Sequence, residues 1–141
     1  MIFEFDVLGG DFATAGNASS QIKKILKQLN VDHHDIKRIV VALYEAEVNV
    51  VAHAYKGRIT VEIQTTEVRI KLVDEGPGIP DIELAMQQGY STASAEVREM
   101  GFGAGMGLPN IKKNTDELHI TSVVDQGTTC ELVTYLKQLP S

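Results

Sequence analysis

Apolar and acidic residues alternate from the start of the chain: Ile2, Phe3, Glu4, Phe5, Asp6 and Val7 predict a strand over residues 2–8. The period then lengthens. Ile22, Ile25, Leu26 and Leu29 recur at helical spacing and predict an amphipathic helix over about 17–29. Asp32 or Asp35 can cap a second helix running to about Ala54. That segment is rich in apolar residues (Ile39, Val40, Val41, Leu43, Val48, Val50, Val51), so it is expected to be covered on more than one side. Period-two alternation returns at Ile59, Val61, Ile63 and at Val68, Ile70, Leu72, with Thr65-Thr66-Glu67 between, which predicts a hairpin with one buried face. Gly76, Pro77, Gly78 and Pro80 then break regular structure, and residues 81–88 have room for one or two helical turns. From Gly89 to Gly107 there are five glycines and no apolar period, which predicts a long loop. A short helix at about 108–114 follows, then strands near 117–124 and 128–136 around Asp125-Gln126-Gly127. The order strand, two helices, two strands, loop, helix, two strands is α+β. It implies a mixed, mostly antiparallel sheet with helices on one face.

Composition narrows the reading. A chain of 141 residues with 43% hydrophobic and 23% charged residues is expected to form one globular domain spanning 1–141. The formal net charge is −6 and no lysine or arginine block stands out, which argues against direct nucleic-acid binding. No apolar run approaches the ~20 residues that span a bilayer, and the start lacks signal-peptide regions, so a cytoplasmic protein without membrane association is expected. The single cysteine, Cys130, reads as a small core residue.

Three short motifs carry the chemistry. In Tyr44-Glu45-Ala46-Glu47-Val48-Asn49, Glu45 and Asn49 lie four apart on one helix face, with Arg38 and His53 along the same stripe. A carboxylate and an amide on a buried helix need partners. A hard cation with phosphate and water would supply them, and so would an Arg38–Glu45 ion pair beside a solvent-facing Asn49. Glu47 falls among the apolar positions and has no evident role. In Asp74-Glu75-Gly76-Pro77-Gly78-Ile79, Asp74 shares parity with Val68, Ile70 and Leu72 and so faces the helix side at a strand end. There it can accept from an exocyclic amine, or simply sit in a turn. Gly101, Gly103, Gly105 and Gly107 precede Leu108, where the third helix starts, and freed N–H groups beside a helix start suit an anion. A glycine loop without a ligand has the same composition. It is neither a P-loop nor a dinucleotide fingerprint, because Gly-Lys-Ser/Thr and the βαβ setting are both missing.

Together and in this order the motifs resemble those of the GHKL (histidine-kinase-like) ATPase superfamily. Glu45-x-x-x-Asn49 is similar to its N box, Asp74-x-Gly76-x-Gly78 to its first glycine box, and Gly103-x-Gly105-x-Gly107-Leu108 to its second. The small size and the stretch Gly107-Leu108-Pro109-Asn110-Ile111-Lys112-Lys113 resemble the bacterial anti-sigma factor and serine-protein kinase family, the switch-kinase type in particular. The resemblance covers about residues 10–137.

It implies a Bergerat-type two-layer sandwich that binds ATP and Mg²⁺, with residues 89–107 as a lid. By resemblance, Asn49 holds the metal and Glu45 is the catalytic base. Asp74 recognises adenine N6, Gly76 and Gly78 line the base, and Thr128 lies near it. Gly103, Gly105, Gly107 and Leu108 form the phosphate loop. The implied reaction is phosphorylation of a serine or threonine on a STAS-domain antagonist. A sigma factor is the implied second partner, and a homodimer the implied assembly. In one departure, several anti-sigma relatives carry an arginine before the final glycines where this chain has Gly103 and Ala104. Arg98 and Lys113 are the candidate replacements. Two other readings compete. One is a non-catalytic module whose partner surface is gated by ATP. The other, a histidine-kinase catalytic domain, is disfavoured because about thirty residues before the N-box helix leave no room for a phosphoacceptor domain.

Overall fold

The computed structural model describes residues 1–87 and 107–137. The elements are β1 (Ile2–Leu8), a short 3-10 turn (Phe12–Thr14), α1 (Asn17–Gln28), α2 (His33–His53), β2 (Lys56–Ile63), β3 (Glu67–Glu75), α3 (Ile82–Ala85), α4 (Gly107–Lys113), β4 (Glu117–Val123) and β5 (Gly127–Tyr135). The five strands are ordered β1-β2-β3-β5-β4, and every ladder is antiparallel. Within the expected α+β class, the described sheet therefore has no parallel pair. The second hairpin enters with β5 against β3, leaving β4 at one edge and β1 at the other.

The period-two pattern sorts the two faces. Ile59, Val61, Val68, Ile70, Leu72, Cys130 and Leu132 are buried under the helices, while Arg58, Arg69, Lys71 and Glu131 point to the exposed outer face. Cys130 is buried, as expected of a core residue, and burial pushes its thiol up to about 12.

Helix α2 packs on the sheet and between α1 and α4, which explains its apolar composition. Of the two candidate caps, Asp32 is the one used: its carboxylate accepts from His34 N (3.0 Å) and Asp35 N (3.3 Å). Asp35 is instead buried, and its Oδ2 accepts from Lys137 N at 3.0 Å. That bond ties the end of β5 to the start of α2. Arg38 pairs with Asp116 (3.1 Å) at the start of β4, so the alternative Arg38–Glu45 ion pair is not formed.

Candidate functional site

Two clusters of candidate residues lie near the C-terminal half of α2. In one, Glu45 and Asn49, both half-buried, face the first turn of α4. Asn110 Nδ2 donates to Glu45 Oε1 over a long 3.4 Å. A Cβ built on Gly107 would lie 3.0 Å from Asn49 Oδ1, so the glycine lets α4 start against the amide. Leu108 is partly buried and packs on the core, and Pro109 sits in the first turn, where its missing N–H costs nothing.

In the other is Asp74, near the end of β3 and opposite Gly57 in the ladder. Its Oδ1 accepts from Thr128 N at 3.0 Å. Thr128 Oγ1 and Ser122 Oγ are 2.9 Å apart, and Ser122 Oγ also accepts from Ile79 N at 2.7 Å. Gly76 N donates to Gln126 O (3.1 Å) and Asp125 N to Pro77 O (2.8 Å), so the 76–79 loop is stitched to the β4–β5 turn. Gly78 has φ +76°, and a Cβ there would come within 2.6 Å of Val123 O, so both backbone and space require glycine. Gly76 approaches the end of α2, 2.9 Å from Ala54 Cα by the same construction. Gly57 is wedged between Val50 of α2 and Asp74.

The donor set fits ATP·Mg²⁺. Asn49 makes no side-chain hydrogen bond to another described residue, and the Asp74 carboxylate takes one. An amide oxygen suits a hard cation, and a half-satisfied, half-buried carboxylate suits an amine donor. Gly103, Gly105, Arg98 and all of the expected lid except Gly107 lie outside the described residues. Lys113 is in the last turn of α4, six residues from Gly107 and so ~9 Å further along the axis, which makes it a poor replacement for the missing arginine.

A family model described as the histidine kinase-like ATPase domain matches residues 10–134. The chain belongs to this family. It is 33% identical over 119 residues to the serine/threonine-protein kinase RsbT of Bacillus subtilis, covering 82% of this chain and 84% of that one. It is 33% identical over 124 residues to the anti-sigma F factor of Caldanaerobacter subterraneus subsp. tengcongensis, covering 84% and 83%. Among solved structures, one of the RsbU and RsbW domains of a Mycobacterium tuberculosis protein matches with a TM-score of 0.64 at 20% identity, covering 96% of this chain and 32% of that one. At that identity the likeness speaks for the fold alone.

In this histidine kinase-like ATPase, burial raises the Glu45 carboxyl above its ordinary range, against a lowering from Asn110. Burial likewise raises Asp74, opposed by the Thr128 N–H. A carboxylate held nearer neutrality is a better proton acceptor.

Sequence reasoning missed three residues here. Ser122 shares parity with Leu118 and Ile120 on β4, which was a usable signal for the inner face. Asn110 belongs to the family-like stretch 107–113, but its residue type and spacing assign it no role. Glu47, which had no account, is 2% exposed, and its oxygens accept from Ala18 N (3.1 Å) and Ser19 N (3.3 Å) at the start of α1.

Proposed function

We propose that this protein is an ATP- and Mg²⁺-dependent serine/threonine kinase of a partner-switching pathway, acting on a STAS-domain antagonist. The observation that carries this is that Glu45 and Asn49 both face the start of α4, in a chain 33% identical to a named serine/threonine-protein kinase over most of its length. In this reading Asn49 holds Mg²⁺, which neutralises charge on the triphosphate. Asp74 and Thr128 hold adenine, with Gly76 and Gly78 against the ring. Gly103, Gly105, Gly107 and Leu108 surround the phosphates. Glu45 takes the hydroxyl proton as the new oxygen–phosphorus bond forms and ADP leaves. A sigma factor is a second candidate partner, in a cytoplasmic homodimer; among the described residues no helix is long and apolar enough to cross a membrane.

The test is incubation of the protein with ATP, Mg²⁺ and candidate STAS-domain proteins. Serine or threonine phosphorylation is expected, with a loss of a hundredfold or more in Glu45→Ala. Transfer that survives Glu45→Ala removes Glu45 from the mechanism. The glycine and alanine at 103–104, with Lys113 a full α4 length away from Gly107, favour a second reading: an ATP-gated binding module without turnover. It requires ATP-dependent association with a partner and no phosphotransfer.

A further inference from the structure

Helix α1 begins without a cap of its own. Its N-cap is Gly16, at φ +95° and with no side chain to offer, and a Cβ there would meet the Tyr44 ring at 3.2 Å. An N-cap side chain ordinarily accepts from the second and third helical N–H groups. In α1 those belong to Ala18 and Ser19, and both donate to Glu47 of α2, at 3.1 and 3.3 Å. One buried carboxylate thus caps a helix from its neighbour, where the positive end of the helix dipole favours it.

Glu47 lies roughly 180° around α2 from the midpoint of Glu45 and Asn49, at 100° per residue. The apolar contacts that hold α2 are non-directional, and its ties through Asp35 to Lys137 N and through Arg38 to Asp116 lie toward its start. The two hydrogen bonds of Glu47 to backbone groups of α1 are a directional tie at the level of Glu45 and Asn49. Side-chain tips are ~5–6 Å from a helix axis, so a rotation of about 10° moves them by ~1 Å. A misplacement of ~1 Å can cost about a hundredfold in rate.

We propose that Glu47 is a positioning residue: by capping α1 it fixes the rotation of α2 and so aims Glu45 and Asn49 at the metal and the phosphate chain. The inference rests on the ATP·Mg²⁺ reading for what those two residues do. It makes a distinctive demand, because Asp74 and Thr128 belong to β3 and β5 and do not turn with α2.

The experiment compares wild type with Glu47→Gln by calorimetry with ATP in excess Mg²⁺ and in EDTA, alongside thermal melting and single-turnover transfer. The variant is expected to keep its metal-free affinity within about twofold. It should lose tenfold or more of the affinity gained with Mg²⁺ and tenfold or more in transfer rate. A folded variant that melts lower but keeps both gains within twofold makes Glu47 a structural cap only and overturns the proposal. Wild type that takes up no ATP overturns the functional reading itself, and is told apart because the unmutated protein fails. If Glu47→Gln does not fold, Glu47→Asp keeps the carboxylate one methylene short and is expected to show the same split. Failure of both to fold assigns Glu47 to folding alone and overturns the inference.

Discussion

Glu45 and Asp74 pay for their positions in opposite coin to most acidic residues: burial raises both, so each destabilises the folded chain as it ionises. For a carboxyl whose folded value lies above its unfolded one, the folded state binds more protons between the two values, and stability falls as pH rises through that window. Glu45→Gln is therefore expected to melt higher than wild type at pH 7. The difference should close as pH falls below the ordinary carboxylate range, where both states are protonated; melting curves at pH 7 and pH 3.5 check this. Asp74→Asn separates binding from folding. Its amide oxygen can still accept from Thr128 N and carries no charge to bury, so at pH 7 the variant should melt no lower than wild type, while ATP affinity measured by calorimetry should fall tenfold or more because the second acceptor becomes a donor.

At the scale of elements, the boundaries follow from few residues. Asp32 satisfies two N–H groups of α2, and Asp32→Ala is expected to cost about 1 kcal/mol, or roughly 3 °C in a melt. The pair of turns around Ser122 is held by hydrogen bonds from Ile79 N, Gly76 N and Asp125 N. Gly78→Ala, with φ +76° and Val123 O in the way, should cost about 1–3 kcal/mol in denaturant titration. Much of this was legible in advance. Periodicity placed all five strands and both long helices, although β2 begins at Lys56, three residues before the first alternating apolar residue, Ile59, and parity placed Asp74 and Thr128 on the helix-covered face. What periodicity could not see were pairings across the sequence. Arg38 looked available to Glu45, two turns along the same stripe, yet Asp116 is brought to it by the β4 hairpin. Glu47 looked misplaced among apolar neighbours because its partners are backbone amides of another helix, and those carry no side-chain signature.

At the scale of the molecule, the sheet divides labour between its faces. The helix side carries the core and both candidate clusters. The outer side carries exposed ion pairs, Lys56–Glu75 at 3.1 Å and Arg58 beside Glu4 (3.7 Å) and Asp6 (3.5 Å). Such pairs contribute ~0–1 kcal/mol, so Lys56→Ala should leave the melting temperature nearly unchanged, whereas Leu43→Ala in the fully buried core should cost about 2–5 kcal/mol. Lys137, just past the last strand, has a different weight. Its amide answers the buried Asp35 carboxylate, and Leu136 N donates to Thr66 O at 2.9 Å. A chain trimmed back to Tyr135 would lose that donor and open the Asp35 carboxylate to water, releasing the tie between the end of β5 and the start of α2. Tags and fusions should therefore leave residues 136 and 137 in place.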